Sequence, residues 1–323
     1  MRLLFMGTPE FAAVSLQHLI QAGHQIVGIV TQPDRPKGRG LELQPSAVKK
    51  VALTHHLPLW QPEQVSSESF MTIFRQLAPD VVVVVAFGQK IPSPILFEPK
   101  FGCINVHGSL LPLYRGAAPI QWSLLNGDPE TGVTTMYMDE GWDTGDIIFR
   151  ESLSIDPDEN FGSLYPRMAQ LGGVLLVKTL QAIACGEAPR LSQDHALASK
   201  APKIKQEQQL IQWNRPAAAI HNQVRALAPF PGAETFFNWE RLKIMETKLA
   251  RARADNNGAP ESLKPGTIIK IVKQEGIWVA TADQPCILTQ VQPSGKKPMA
   301  ATDYANGRRL APGMLFGAAD PEK

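Results

Sequence analysis

An asparagine and a histidine stand two residues apart at the end of an apolar run of the sequence. Asn105 and His107 flank Val106. Alternate residues of a β-strand point to the same face, so the two polar side chains are predicted to share one face while Val106 faces the core. An Asn amide donates to a carbonyl oxygen, and a His ring either donates to the same oxygen or accepts a proton. The pair could stabilise an oxyanion, although a polar strand end with a structural role gives the same pattern.

An acidic turn supplies a candidate carboxylate. Residues 139–146 (DEGWDTGD) hold four acidic side chains in eight positions. The alternation over residues 131–138 and 146–155 predicts two antiparallel strands joined by this turn. Neither a His nor the regular spacing of a calcium loop accompanies the acids, so the pattern disfavours a metal site. We predict instead that a single carboxylate works with a histidine.

The segment after His107 is suited either to a structural loop or to a binding loop. Residues 109–112 (SLLP) leave the strand with a hydroxyl, two apolar side chains and a proline. Arg115 and Gly116 follow, and Pro119 can begin a helix that includes Trp122. Such a loop either ties onto the core or cradles a flat heterocycle through its backbone groups.

The elements that must position these residues indicate an α/β sheet. Residues 1–5 and 25–31 are predicted strands on either side of a helix, which makes them a parallel pair. Residues 81–85 are five consecutive valines, typical of a strand buried on both faces. Ligands of open parallel sheets bind beyond the carboxyl ends of the strands, where residues 87–89 and 107–109 lie.

The second half of the chain has a different pattern. Short strand-like runs follow residue 233 and predict a small antiparallel barrel. A polar connector over residues 193–205 precedes this half. Earlier in the chain, residues 31–46 are rich in proline, glycine and basic side chains. They predict a long loop that is either a mobile surface segment or an arm that contacts anions.

Charge is distributed unevenly along the chain. Residues 1–200 hold 15 Lys and Arg against 19 Asp and Glu, whereas residues 201–323 hold 17 against 11. A basic second half suits a polyanionic partner, because Lys and Arg neutralise phosphates and release counterions. An ordinary solvated surface is the alternative.

Cysteine spacing and hydropathy exclude several protein classes. Cys103, Cys185 and Cys286 form no CxxC pair, so neither a disulfide framework nor a zinc site is indicated, and all three are predicted to be buried. The first residues are too short an apolar run for a signal peptide, and no later run is long enough for a spanning helix. We therefore predict a soluble, cytoplasmic protein with no membrane partner.

One ordered set of residues resembles a known family signature. Asn105-x-His107-x-Ser109-Leu110-Leu111-Pro112-x-x-Arg115-Gly116-x-x-Pro119-x-x-Trp122, followed by Asp143-Thr144-Gly145-Asp146, resembles the signature of the 10-formyltetrahydrofolate-dependent formyltransferases. The resemblance runs from FMGTPEFA and TQPDRPKGRG through VVVVAFGQKIP to APFPGA and QPSGKKPM. It implies a Rossmann-like, mostly parallel sheet domain followed by a small OB-like β-barrel domain. It also implies formyl transfer to the α-amino group of initiator methionyl-tRNA, with 10-formyltetrahydrofolate as co-substrate and no metal.

The resemblance also implies three groups of site residues. Asn105 and His107 would stabilise the oxyanion, while Asp143 would orient His107 and assist proton transfer. The folate-binding group comprises Ser109, Leu110, Leu111, Pro112, Phe87, Gly88, Gln89 and Ile91. The tRNA-binding group comprises Arg35, Lys37, Arg39, Lys203 and Lys205.

These observations predict a catalytic domain over residues 1–192, a basic linker over 193–208 and an OB-like tRNA-binding domain over 209–323, in a monomer. Three alternatives fit parts of the pattern. A formyltransferase acting on an amino sugar nucleotide would share the site, and a nucleic-acid-binding protein would retain the fold without activity. A nicotinamide oxidoreductase is disfavoured, because GTPEF lacks the GxGxxG motif.

Overall fold

The computed structural model describes residues 1–37, 42–250 and 263–317 of the chain. They fall into two compact units. The N-terminal unit comprises Met1–Pro119, Glu130–Ser154 and Tyr165–Pro202. The C-terminal unit comprises Ile120–Pro129, Ile155–Leu164 and the described part of Lys203–Lys323. The linker boundaries at 193 and 208 stay a prediction.

Strands and helices alternate over the first half of the sequence. In chain order the elements are β1 (Arg2–Gly7), α1 (Glu10–Gln21), β2 (Gln25–Val30), β3 (Arg35–Lys37), β4 (Glu42–Gln44), α2 (Ala47–Thr54), β5 (Leu59–Trp60), α3 (Glu68–Leu77), β6 (Val81–Val85), α4 (Ser93–Phe97), β7 (Cys103–His107), α5 (Pro119–Asn126), β8 (Glu130–Tyr137), β9 (Ile147–Ser154) and α6 (Phe161–Cys185).

A seven-stranded sheet organises the N-terminal unit. Its strand order is β5-β2-β1-β6-β7-β8-β9. The first five strands are parallel, and β8 and β9 run antiparallel at one edge. All five valines of β6 are buried at the centre, as the continuous apolar run predicted. Because β8 runs antiparallel to β7, His107 at the end of β7 pairs with Thr134, and the turn after Tyr137 begins beside the amino end of β7.

Helices cover both faces of this sheet. Phe70 and Phe74 of α3 pack in one cluster with Val82 and Val84 of β6. On the other face, Gly172 of α6 lies close enough to Val106 that an added Cβ would sit 3.2 Å from the valine Cγ1. Val106 is buried, as predicted from the alternation along β7. Asn105 and His107 therefore lie on the opposite face of that strand.

The C-terminal unit contains an antiparallel sheet. Its elements are α7 (Ala217–Leu227), β10 (Ala233–Phe237), β11 (Glu240–Leu249), β12 (Ile268–Val272), β13 (Gly276–Val279), β14 (Cys286–Pro293), β15 (Met299–Ala300) and α8 (Ala301–Arg308). The sheet order is β10-β11-β14-β13-β12, with β15 paired to β14.

A short segment, residues 315–317, joins the two edges of this second sheet. Phe236 of β10 bridges Gly317, and Thr267, next to β12, bridges Leu315. The segment thus closes the sheet into a small barrel, whose core includes Trp213 stacked on Phe316. The predicted combination of a Rossmann-like sheet domain and an OB-like barrel is confirmed.

Three local expectations need correction. Residues 31–46 are not one irregular loop, because β3 and β4 form a short antiparallel hairpin within them. Helix α4 was not predicted, since its five residues are too few for a visible periodicity. Helix α6 is long and apolar enough to cross a membrane by length and composition, and 50% of its most apolar window is buried. The core helix of a soluble protein has the same composition, so α6 is weak grounds for a membrane span.

Candidate active site

Asn105 and His107 occupy the carboxyl end of β7. Asn105 pairs with Val84 of β6 on one side and Met136 of β8 on the other. The Asn105 side chain is half-buried, and within the described residues its amide makes no hydrogen bond. An amide held on a rigid strand with its donors unused is available to a ligand oxygen.

The ring of His107 has a defined hydrogen-bonding pattern. The side chain is buried, with 6% of its surface exposed. Its Nε2 lies 2.9 Å from the carbonyl oxygen of Tyr114. A carbonyl oxygen only accepts, so Nε2 carries a proton. The second nitrogen, Nδ1, lies 3.7 Å from Oδ2 of Asp143.

Asp143 lies in the turn between β8 and β9 and is held by backbone contacts. Its φ of +55° is unusual for a residue other than glycine. Its Oδ2 accepts a hydrogen bond of 2.8 Å from the backbone N–H of Gly116. The turn begins beside the amino end of β7 and folds back to place Asp143 next to His107, whose strand face also carries Asn105.

The other acids of the turn have partners elsewhere. Asp139 accepts from the hydroxyl of Thr144 and from the Gly141 N–H. Glu140 accepts from Ser93, and Asp146 lies 3.7 Å from Arg190. Asp143 is thus the acid of this turn that faces the histidine.

A short ladder of hydrogen bonds between residues 114–118 and 199–201 positions the backbone groups that contact His107 and Asp143. The Arg115 N–H donates to the Ser199 carbonyl at 2.8 Å, and the Ala201 N–H donates to the Arg115 carbonyl at 2.7 Å. The Tyr114 N–H donates to the Ser199 hydroxyl. Residues 114–116 are thereby fixed between the two catalytic candidates. Residues 199–201 were assigned to a polar connector, and no local pattern signalled this pairing.

The SLLP loop is bonded largely to the protein itself. The Ser109 hydroxyl donates to the Leu113 carbonyl at 2.6 Å, and Leu111 is fully buried in a cluster with Met136 and Ile147. Leu110 and Pro112 are half-buried. The side chains of Ser109 and Leu111 shape the loop, which leaves Leu110, Pro112 and backbone groups for a ligand.

The other predicted folate-binding segment, residues 87–91, is likewise divided between the core and the surface. Phe87 and Ile91 are buried in the core, whereas Gly88 is exposed with a φ of +89°. Gln89 bonds through its side chain to the backbone of Pro62, Glu63 and Val65. This loop would therefore meet a ligand through its backbone near Gly88.

The predicted tRNA contacts lie in both units. Arg35 and Lys37 belong to strand β3 of the N-terminal unit, and Arg35 is exposed. Lys203 and Lys205 are exposed in the C-terminal unit. Arg39 lies outside the described residues.

A polar cluster anchors the base of the β3–β4 hairpin. The Lys49 ammonium lies 2.5 Å from a carboxylate oxygen of Asp34, and the Gln61 amide donates to the other oxygen at 2.8 Å. Hydrogen bonds from Lys49 and then from Gln61 lower the pKa of Asp34. The start of the hairpin is therefore fixed.

A cavity of about 420 Å³ lies away from Asn105, His107 and Asp143. It is lined at the amino end of β7 by Gly102 and Cys103, together with Tyr137 and Arg190. The candidate site is at the opposite end of the same strand. Within the described ranges, no group of three or more His, Cys, Asp or Glu side chains is arranged to hold a metal ion.

Sequence comparison identifies the family. Residues 1–180 match the family described as Formyl transferase, and residues 203–309 match the family described as Formyl transferase, C-terminal domain. The chain belongs to the formyl transferase family. A relative named methionyl-tRNA formyltransferase from Pelobacter propionicus is 46% identical over 99% of this chain and 98% of its own length.

Two solved structures named as formyltransferases share the fold. The N-formyltransferase from Helicobacter canadensis, in complex with folinic acid and dTDP-3-aminofucose, matches with a TM-score of 0.63 at 19% identity. That match covers 91% of this chain and 99% of the other. The methionyl-tRNA formyltransferase from Clostridium thermocellum matches with a TM-score of 0.54 at 15% identity, over 78% of this chain and 95% of the other. At these identities the likeness concerns the fold.

Proposed function

We propose that this formyl transferase moves the formyl group of 10-formyltetrahydrofolate to the α-amino group of initiator methionyl-tRNA in the cytoplasm. The observation that carries the proposal is the grouping of Asn105, His107 and Asp143 at the carboxyl edge of the sheet. The full-length similarity to relatives named methionyl-tRNA formyltransferase supports this choice of acceptor.

Asn105 acts on the formyl oxygen. The folate supplies an activated formyl carbon when it is bound. As the amine attacks that carbon, negative charge develops on the oxygen, and the unused amide donors of Asn105 stabilise it. The rigid strand holds this amide in place, so little reorganisation is needed as the charge forms.

His107 and Asp143 handle the proton. Because Nε2 is committed to the Tyr114 carbonyl, the ring reaches the reaction only through Nδ1. The neutral ring accepts a proton at Nδ1, and the protonated ring can donate it to oxygen or return it to the leaving nitrogen. The carboxylate of Asp143 stabilises the cationic ring. Overall, the C–N bond to the methionyl amine forms, the bond to folate N10 breaks, and the amine proton ends on N10.

The remaining predicted groups bind the two substrates. We assign folate binding to the loops of residues 87–91 and 109–112, chiefly through Gly88, Leu110, Pro112 and backbone groups. We assign the tRNA to Arg35, Lys37 and Arg39 in the N-terminal unit and to Lys203 and Lys205 in the C-terminal unit. We propose that the protein acts as a monomer.

A formylation assay with matched variants tests the proposal. Wild-type protein should formylate initiator methionyl-tRNA faster than elongator methionyl-tRNA. Asn105→Ala, His107→Ala and Asp143→Ala should each lower kcat by about 10² to 10³, the usual cost of losing one such group. Circular dichroism should show an intact fold, and Glu140→Gln, a change of an exposed acid in the same turn, should leave kcat within about twofold.

Two results would oppose this assignment. Near-normal kcat in all three alanine variants would remove the catalytic group from consideration. Formylation of a dTDP-amino sugar together with no reaction on any charged tRNA would assign the protein to a different acceptor class.

A further inference from the structure

The side chain of Gln193 is buried beneath the acidic turn and uses its full hydrogen-bonding capacity. Only 7% of the residue is exposed. Its Nε2 donates to the Asp143 carbonyl at 2.9 Å and to the Gly145 carbonyl at 2.8 Å, and lies 4.0 Å from the sulfur of Met136. Its Oε1 accepts from Nε of Arg115 at 3.1 Å and from Nη2 at 2.6 Å.

We propose that Gln193 is a positioning residue that sets the placement of the Asp143 carboxylate relative to His107. This inference rests on the proposed function, in which Asp143 stabilises the protonated ring. The carboxamide joins the backbone of the acidic turn to the guanidinium of Arg115. Within the described residues Gln193 makes no hydrogen bond to His107, so it acts through Asp143.

Asp143 is held by two sets of hydrogen bonds, one from Gly116 and one from its neighbour Arg115. The Gly116 N–H holds its carboxylate directly, while the Arg115 side chain holds its backbone carbonyl through Gln193. The first set fixes one carboxylate oxygen, and the second fixes the peptide from which the side chain projects. Together they define both ends of the Asp143 side chain.

The backbone conformation of Asp143 is one that such a restraint stabilises. A φ of +55° in a residue other than glycine is unfavourable and persists when surrounding contacts stabilise it. Two hydrogen bonds from Gln193 to the carbonyls of Asp143 and Gly145 supply that stabilisation. Without them, we expect the turn to relax and the 3.7 Å separation between Nδ1 and Oδ2 to change.

Two substitutions separate the contacts of Gln193. Gln193→Glu keeps an acceptor for Arg115 but places a carboxylate oxygen against the two backbone carbonyls, which repel it. Gln193→Met keeps similar bulk and removes all four hydrogen bonds. A displacement of Asp143 by about 1 Å is enough to lower a rate by about 10²-fold.

Gln223 provides a matched control in the C-terminal unit. Only 3% of it is exposed, and its Nε2 donates to the carbonyls of Gln208 and Leu210 at 2.8 and 3.0 Å. Its substitution disrupts the same kind of buried contact in the other unit. Gln223→Met and Gln223→Glu therefore measure the general cost of such a change.

The experiment compares kcat, KM and melting temperature for both pairs of variants. We expect Gln193→Met and Gln193→Glu to lower kcat by about 10²-fold, with KM for 10-formyltetrahydrofolate within about threefold. The Gln223 variants should show a similar decrease in melting temperature without that fall in kcat. Equal kcat in the Gln193 and Gln223 variants would overturn the inference.

A double-mutant cycle tests whether Gln193 acts through Asp143. In an Asp143→Asn background, Gln193→Met should lower kcat by less than about threefold, because the group it positions is already impaired. A full additional loss of about 10²-fold would show that Gln193 acts by another route and would overturn the inference.

A spectroscopic measurement keeps the inference separate from the proposed function. The ¹⁵N chemical shifts of the His107 ring, assigned with His107→Gln, should change in Gln193→Met and stay unchanged in Gln223→Met. If wild-type protein formylates no charged tRNA, the proposed function fails, but this comparison still decides whether Gln193 controls the His107–Asp143 pair. Unchanged His107 signals in Gln193→Met would overturn the inference.

Discussion

The imidazole ring of His107 has one nitrogen committed to a backbone carbonyl and one that faces a carboxylate. The Tyr114 carbonyl fixes the proton on Nε2, so Nδ1 is the ring nitrogen left to exchange a proton. Asp143 faces that same nitrogen. The chemistry of this side chain is therefore set by contacts from residues 114 and 143, which lie outside its own strand.

The three cysteines differ in environment, contrary to the prediction that all are buried. Cys103 and Cys286 are buried, but Cys185 ends helix α6 and is exposed. Burial raises the pKa of the Cys103 thiol, and burial is also the main cause that raises the pKa of Cys286 to about 12. The thiolate is the reactive form, so these two thiols should be inert in the folded protein.

Thiol alkylation checks this difference. Native protein treated with N-ethylmaleimide at pH 8 should be modified at Cys185, with Cys103 and Cys286 reacting only after unfolding. Peptide mass spectrometry identifies the modified residue. The Cys185→Ser variant should take up almost no reagent in its native state, and rapid native labelling of that variant would contradict the assigned burial.

At the scale of elements, the site depends on a ladder between residues 114–118 and 199–201. This pairing places the Tyr114 carbonyl against His107 and the Gly116 N–H against Asp143. Gly116 has a φ of +130°, a conformation that glycine alone adopts readily. A Cβ at this position would lie 2.6 Å from the carbonyl oxygen of Ala201. The glycine thus permits both the backbone conformation and the close pairing.

Gly116→Ala should therefore impair both stability and catalysis. We expect a loss of about 3 kcal/mol in the free energy of unfolding, because the methyl group meets backbone that cannot move aside. We also expect a fall in kcat of at least about tenfold as the Gly116 N–H leaves Asp143. Urea unfolding and the formylation assay measure the two effects.

Gly186→Ala is the control for backbone strain without a clash. Gly186 has a φ of +75°, and a Cβ there would meet no atom within 4 Å. Its substitution should cost about 1 to 2 kcal/mol and leave kcat unchanged. If the two alanine variants were equally stable and equally active, close packing at Gly116 would have no special role.

At the scale of the whole molecule, the two halves of the chain differ in charge. Residues 201–323 carry 17 basic and 11 acidic side chains, against 15 and 19 in residues 1–200. Lys203 and Lys205 are exposed at the start of the basic half. Contacts between such side chains and phosphates release counterions, so tRNA affinity should fall as salt concentration rises.

Lys203→Ala and Lys205→Ala should each reduce the slope of log K against log salt concentration by about 1 for tRNA binding. The double variant should reduce this slope by about 2, with kcat at saturating tRNA little changed. Lys273→Ala, at another exposed lysine of the C-terminal unit, should leave the slope unchanged. Filter binding at several salt concentrations measures the slopes, and equal slopes for all variants would argue against a phosphate contact at Lys203 or Lys205.

Local patterns in the sequence determined a large part of this fold. The five valines predicted a central buried strand, and the alternation around Val106 predicted that Asn105 and His107 share a face. Such inferences succeed because strand geometry relates residues only two positions apart. The acidic turn between two antiparallel strands was predicted for the same reason, and family resemblance selected Asp143 within it.

Only the tertiary structure decided how these residues are held together. Gln193 had the composition of a polar connector, yet its side chain binds the backbone of Asp143, 50 residues earlier. Residues 199–201 pair with residues 114–118, and the choice of Nε2 as the protonated nitrogen of His107 depends on that pairing. Contacts at such separations leave no periodicity in the sequence, because they depend on how distant strands and loops pack in space. The sequence by itself therefore determined which side chains could react, and the packing of distant segments decided their geometry.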